Sequence, residues 1–360
     1  AGSKGKGTTC LFLANYLSKL GYKVGMFTSP YLLDITESFW INGICISKKE
    51  FVEYVVKVKS FLDKNGNKYN VTYFEILTGI VIQYFIKNKV KYAVMEVGLG
   101  GRLDATNVIF PKVTVLTSIE KEHTRILGKT LSKILNEKLG IVKSGVPLVV
   151  GKNSQYVREM IKNKIGRKTE FIFIENLSFE EKFRFSKLNI PYVQKENAKT
   201  AYVSLRQLIP EIDLNDFCDF VEKVKLEGRY DLRKISGKNV VFDFAHTKNS
   251  ISELVQYLPV KFTNKKFVFL VSLMKDKDVK GILRKIFQCA DRIVFTESNM
   301  DRGFSSLELA KISRKLNSSF IIKTNKSPID AYKSAIKSLK NDEILVVTGS
   351  HFLVGNILKD

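Results

Sequence analysis

Short apolar runs alternate with longer stretches of helical periodicity along the first half of the chain. Residues 8–20, 74–88 and 131–142 read as helices. Between and after them, "YKVGMF" (22–27), "KYAVMEVG" (91–98), "VTVLTSI" (113–119), "VPLVVG" (146–151) and "EFIFIE" (170–175) read as strands. Strands alternating with helices predict a parallel sheet covered by helices. The runs are almost uninterrupted in their apolar character, as a sheet buried on both faces requires.

A second series follows, with strands predicted at 239–245, 266–273, 291–297, 319–324 and 343–350 and helical stretches between them. The polar, glycine-punctuated stretch "LEGRYDLRKISGKN" (226–239) is the predicted junction, dividing the chain into units 1–230 and 231–360. The second unit, about 130 residues long, is a typical domain size. The expected fold class is α/β: a larger N-terminal unit and a smaller Rossmann-like one. There is no internal repeat and no low-complexity segment.

Composition narrows the picture only slightly. The 360 residues are 44% hydrophobic and 26% charged, ordinary values for a globular protein. No apolar run reaches eighteen residues, so no membrane span is predicted, and no signal-peptide pattern opens the sequence. Cys10, Cys45, Cys218 and Cys289 are scattered without metal-type spacing, which fits a reduced, cytoplasmic setting. The net charge of +23 is spread along the chain rather than gathered in one block. Together with the absence of zinc-finger, RRM or KH patterns, that weighs against a nucleic-acid surface.

The first nine residues, "AGSKGKGTT", carry the first chemical signal. A phosphate-binding loop needs glycines that turn backbone N–H groups inward, a lysine and a nearby hydroxyl. Gly2, Gly5 and Gly7 frame Lys6, Thr8 and Thr9 follow, and a helix starts at once with its positive end toward the loop. The spacing departs from GxxxxGK[ST], so a glycine-rich turn with a solvated lysine is an equal reading of these nine residues alone.

Further blocks follow in order: "TSPYLLDITESFWING" (28–43), "TYFEILT" (72–78), "MEVGLGGRLDATN" (95–107), "TSIEKEHTRILGKTL" (117–131) and "EKLGIVKSGVP" (137–147). Then come "GRYD", "FDFAHTKNS", "MKDKD" and "VTGSHFLVG". With the opening loop, this series resembles the folylpolyglutamate synthase/dihydrofolate synthase family of Mur-ligase-like, ATP-dependent amide ligases. The resemblance runs over nearly the whole chain, and the "EVGLGGRLDATN" block is its most specific part. It implies a P-loop ATPase-type domain with a helix-flanked parallel sheet, followed by a C-terminal glutamate-ligase domain. It also implies a reaction in which ATP activates a carboxylate as an acyl phosphate and the α-amine of glutamate attacks it. Family members carry several dozen residues ahead of the loop, including the strand that leads into it. The resemblance therefore implies an N-terminally truncated sequence.

The site residues come from the same resemblance. Lys6 is the phosphate lysine, and Ser3, Lys4, Gly5, Gly7 and Thr8 shape the loop. Ser29 and Glu96 are implied ligands of a first magnesium and His123 of a second, with Lys138 carbamylated beside it. Lys6, His123 and Lys138 form the implied catalytic set. Asn197, Arg229 and Asp243 are implied ATP contacts, and His246 stands on the glutamate side. Thr72, Tyr73, Phe74, Glu75, Leu103, Asp104 and Ala105 match folate contacts. Read without the resemblance, Ser29 is a turn cap, Glu96 a paired buried carboxylate, and Tyr73 and Phe74 helix-start core. "AHTK" in place of the family's usual "AHNP" and "SKGK" in place of "TNGK" are departures. The implied partners are small molecules (ATP, a folate or dihydropteroate, L-glutamate), the implied state a monomer. Two alternatives stay open: a cell-wall ligase acting on a nucleotide-linked sugar peptide, and a non-catalytic, basic nucleic-acid binder.

Overall fold

The computed structural model describes residues 1–31, 33–66, 68–166, 169–298 and 300–359. The chain divides into two compact units, Ala1–Val224 and Lys225–Asp360.

The first unit opens with helix α1 (Lys6–Lys19), which buries Phe12, Leu13, Tyr16 and Leu17 along one side. Strands β1 (Val24–Phe27), β2 (Phe39–Ile41) and β3 (Ile44–Cys45) follow, then α2 (Lys48–Lys64), α3 (Tyr73–Lys87) and β4 (Tyr92–Met95). They form a sheet of order β3-β2-β1-β4 in which β1 runs parallel to β4 and antiparallel to β2. The hairpin β2–β3 is absent from the expectation of an all-parallel sheet. Its cause is the Asn42-Gly43 pair, with φ 44° and 90°, a left-handed two-residue turn that folds the chain back on itself.

A second, wholly parallel sheet contains β5 (Thr114–Leu116), β6 (Leu148–Val150) and β7 (Phe171–Phe173). Helices α4 (Thr124–Leu127), α5 (Leu131–Leu139), α6 (Gln155–Ile165), α7 (Phe179–Ser186), α8 (Tyr192–Arg206) and α9 (Leu214–Lys223) complete the unit. Residues 1–3 lie along the outer edge of β5. The Ala1 amine donates to Val115 O, Thr117 N–H to Ala1 O, and Ser3 N–H to Ser118 O. A mostly apolar cavity of about 590 Å³ is walled by α1, α3, β4 and β5, with Lys6, Glu96 and Thr117 among its polar lining.

The second unit is one six-stranded sheet. It begins with the antiparallel pair β8 (Asp231–Ile235) and β9 (Lys238–Phe242). Parallel strands β10 (Lys266–Val271), β11 (Arg292–Phe295), β12 (Ile321–Thr324) and β13 (Glu343–Thr348) follow, in the order β12-β11-β10-β13-β9-β8. Successive strand side chains point to opposite faces. Phe267, Phe269 and Val271 of β10 therefore join the core under α10 (Lys248–Lys261), α11 (Val279–Ile286) and α12 (Ser306–Leu316). Val268 and Leu270 join the opposite core under α13 (Pro328–Lys337) and α14 (His351–Lys359). Each such side chain contributes about 1.5–3 kcal/mol on burial. The direction of chain progression reverses between β10 and β13, so the ends of β9, β10 and β13 flank a switch point where α/β folds bind ligands.

Candidate active site

The opening loop has the geometry that an anion site needs. Gly5 has φ 82°, and a Cβ there would lie 2.2 Å from the Asn197 side-chain oxygen. Only glycine fits both the backbone and the space. Asn197, buried in α8, thus forms the floor of the loop. Helix α1 starts at the next residue with no side-chain cap and no acidic residue in its first turn. Its first N–H groups and its dipole suit a phosphate. Thr8 and Gly7 are buried in that first turn. Ser3 holds the loop to the strand-end segment: its Oγ accepts from Glu120 N–H at 2.9 Å. Lys4 pairs with the Glu120 carboxylate at 3.3 Å, so its extra charge is already matched.

Two lysines converge on one backbone carbonyl. Lys6 Nζ donates to Gly2 O at 3.0 Å, and Lys138 Nζ donates to the same oxygen at 2.8 Å. Lys138 also pairs with Glu122 at 2.9 Å and is only 2% exposed. Burial lowers its pKa; Glu122 opposes that, and Lys6 adds to it. An amphipathic helix, α5, delivers Lys138 here from 136 residues away, on the face that also buries Ile134 and Leu135.

Ser29 and Glu96 meet at the carboxyl ends of the adjacent parallel strands β1 and β4. Ser29 N–H donates to Glu96 Oε2 at 3.2 Å, and Glu96 N–H donates to Phe27 O at 2.9 Å. Glu96 is 6% exposed. A serine hydroxyl beside a buried carboxylate is a hard-oxygen donor set suited to magnesium. His123 has φ 45° and its carbonyl starts α4; it follows Glu122 directly. Among the described residues, no group of three or more His, Cys, Asp or Glu side chains forms a ready metal cluster.

The expected folate residues divide by what they do. Thr72 and Glu75 form a reciprocal cap at the start of α3. Phe74 packs on Phe27 with ring centres 5.6 Å apart, and a Cβ on Gly98 would collide with it. Asp104 is buried, accepts N–H bonds from Leu99 and Thr106, and starts the short turn Ala105–Val108. Tyr73 and Leu103 are exposed. Tyr31, which the sequence reading passed over, hydrogen-bonds Tyr73. Its signal was its place immediately after "SP" in the same block as Ser29.

In the second unit, Asp243 follows β9 and is buried. Its carboxylate accepts from Ala245 N–H and Tyr230 N–H, both at 2.8 Å. Burial pushes its pKa up to about 6 against those bonds and the nearby Arg229. Arg229 lies over the Phe244 ring at 5.8 Å, and His246 Nδ1 is 2.8 Å from Phe244 O. The structure therefore gathers Arg229, Asp243 and His246 around one strand end. It adds Phe244 and His351, and in the first unit Glu120 and Glu122, none of which the sequence singled out.

Comparison with known proteins shows the family of the chain. The profile of the Mur ligase middle domain matches residues 1–207, and that of the dihydrofolate synthetase C-terminal domain matches 228–360. The dihydrofolate synthase/folylpolyglutamate synthase of Bacillus subtilis is 30% identical over 386 residues, covering 100% of this chain and 89% of that protein. The Escherichia coli protein of the same name is 29% identical over 370 residues, covering 100% and 85%. Among solved structures, E. coli FolC in complex with DHPP and ADP superposes with a TM-score of 0.84 at 26% identity, covering 100% of this chain and 86% of that one. The folylpolyglutamate synthase of Thermotoga maritima gives 0.85 at 25% identity, covering 100% and 87%. With its glycine-rich loop ahead of α1 and matching profiles over both units, the chain belongs to the dihydrofolate synthase/folylpolyglutamate synthase family of Mur-type ligases.

Proposed function

We propose that this chain joins L-glutamate to a folate or to dihydropteroate at the expense of ATP. The observation that carries the proposal is the convergence of Lys6 and Lys138 on the phosphate loop, with Ser29 and Glu96 paired at the neighbouring strand ends. A carboxylate is a poor electrophile because oxide would have to leave. Transfer of the γ-phosphoryl group of ATP to it gives an acyl phosphate and ADP. The α-amine of glutamate then attacks the carbonyl carbon, the C–O bond to phosphate breaks, and inorganic phosphate leaves. Such chemistry needs positioning and neutralisation of phosphate charge more than covalent help from the protein.

The residues fit that division of labour. The N-terminus of α1 and Lys6 bind the β- and γ-phosphates. Ser29 and Glu96 hold a magnesium ion, which when bound draws charge from the phosphate oxygens. A second ion belongs with His123 and a carbamylated Lys138. The depressed pKa of Lys138 favours the neutral amine that takes up CO2. Carbamylation would turn a cation into an anion, and Glu122 would then have to release its present ion pair. Tyr73 and Leu103 face the folate. Asn197 supports the nucleotide loop, Arg229 and Asp243 serve ATP, and His246 serves glutamate.

The test is ADP release from MgATP with glutamate and either dihydropteroate or tetrahydrofolate. Release with the first identifies dihydrofolate synthesis, with the second polyglutamate extension, with both a dual enzyme. A folded protein that releases ADP with neither overturns the proposal.

A further inference from the structure

The motif "VTGSHFLVG" contains a partly buried histidine that the chemistry above does not use. His351 opens α14 directly behind β13. Its ring stacks on Phe244, with centres 4.4 Å apart and planes 17° from parallel. The His246 ring is 5.2 Å away. Phe244 is thus a shared wall: His351 stacks on it, and Arg229 lies over it at 5.8 Å. Gly228, at φ 64°, passes so close that a Cβ would lie 2.0 Å from Phe244 Cζ.

The backbone around this ring is laced together. Gly349 N–H donates to Ala245 O at 2.9 Å, Asp243 N–H to Val347 O at 3.0 Å, and Phe244 N–H to Gly228 O at 2.8 Å. The charged or titratable groups facing His351 are Arg229 from the segment before β8, His246 after β9 and Lys277 after β10. All of these groups can carry positive charge. Burial and this company hold the imidazole down to about 3, so it stays neutral at ordinary pH. A neutral, flat ring can pack among cations where a further cation would be repelled.

We infer that His351 is a positioning residue: its stack on Phe244 fixes the wall that aims His246 at an anionic substrate. This rests on the ligase reading for the identity of that substrate, glutamate. The role requires a flat uncharged ring rather than a proton-transfer group.

The experiment compares H351F and H351A with the unaltered chain, using KM and kcat for each substrate. H351A is expected to raise KM for glutamate about tenfold through lost alignment, while KM for the folate substrate stays unchanged. H351F, which keeps the stack, is expected to stay within about twofold of the parent. The inference is overturned if H351A matches the parent, if H351F is as impaired as H351A, or if all KM values rise together with a fall in Tm. Proton NMR of the His246 ring gives a readout independent of ligase activity. Its C2–H signal should shift in H351A and hold in H351F, because the neighbouring ring is removed in one and kept in the other. An unmoved signal in H351A also overturns the inference. Absence of turnover in the parent chain, with the NMR result as expected, would sink the ligase reading alone.

Discussion

The two units arrange positive charge in different ways. In the first, the cations near the loop are held by oxygen: Lys6 and Lys138 by Gly2 O, Lys138 by Glu122, Lys4 by Glu120. In the second, Arg229 and two histidines gather around an aromatic ring, with Asp243 as the buried carboxylate alongside. The first arrangement is assembled by docking helix α5 against the loop. The second collects its residues from neighbouring strand ends of one sheet. A phosphate entering the first site has to replace existing oxygen partners. A small anion entering the second meets the Arg229 guanidinium and neutral rings set around Phe244.

That contrast can be broken most severely at the loop. Lys6→Ala should lower ADP release by on the order of a hundred- to a thousandfold, the loss expected for a group acting on developing phosphate charge. Circular dichroism should be unchanged. Glu96→Gln should reduce turnover roughly a hundredfold and raise the magnesium concentration needed for half-maximal rate. If Glu96→Gln keeps the full rate, the metal assignment is wrong.

A smaller effect should follow from unpairing Lys138. Glu122→Gln removes the negative charge beside a nearly buried ammonium that also donates to Gly2 O. Because Glu122 itself is 26% exposed, the expected destabilisation is about 1–2 kcal/mol in urea unfolding, below that of a fully buried pair. An unchanged midpoint would mean that the pair adds nothing to the loop.

The second unit gives the finest test, through pH. His351 sits at about 3 in the folded chain against an ordinary 6.5. Below pH 6.5 the unfolded chain binds a proton that the folded chain refuses, so this group removes stability as pH falls from 6.5 toward 3. Asp243 sits at about 6 against an ordinary 3.8. It holds its proton in the folded chain where the unfolded chain has released it, so its contribution is lost as pH rises from 3.8 to 6. The two oppose each other between pH 4 and 6. Relative to the parent chain, H351F should gain stability as pH falls through that window. Asp243→Asn should gain as pH rises through it. Each slope is at most about 1.4 kcal/mol per pH unit. Parallel profiles for all three proteins would refute both assignments.

Much of this was legible in the sequence, for physical reasons. Parallel strands buried on both faces must be apolar throughout, so β1 and β6 stand out as apolar runs, whereas β4 and β12 are only partly buried. The glycines of the loop are local features that a sequence displays directly. The β2–β3 hairpin was missed because its strands have only three and two residues; only Asn42-Gly43 marks it. Glu122, Tyr31 and His351 were missed because their roles come from partners on other elements: Lys138, Tyr73 and Phe244. Nothing in "EKEH" or "GSHF" states which ring or ammonium the fold will bring beside it. Thr72, Glu75 and Asp104, expected on the folate side, also form helix and turn caps, which no sequence pattern had singled out.

The central claim is that ATP activates the acceptor's carboxylate by phosphorylating it. Label transfer tests it most directly. The folate or dihydropteroate carboxylate is enriched in oxygen-18, turnover is run with MgATP and glutamate, and the released phosphate is analysed by mass spectrometry. The account predicts one oxygen-18 atom in inorganic phosphate for each amide bond formed, with ADP as the other product. Amide formation with unlabelled phosphate, or with label in AMP, would contradict it.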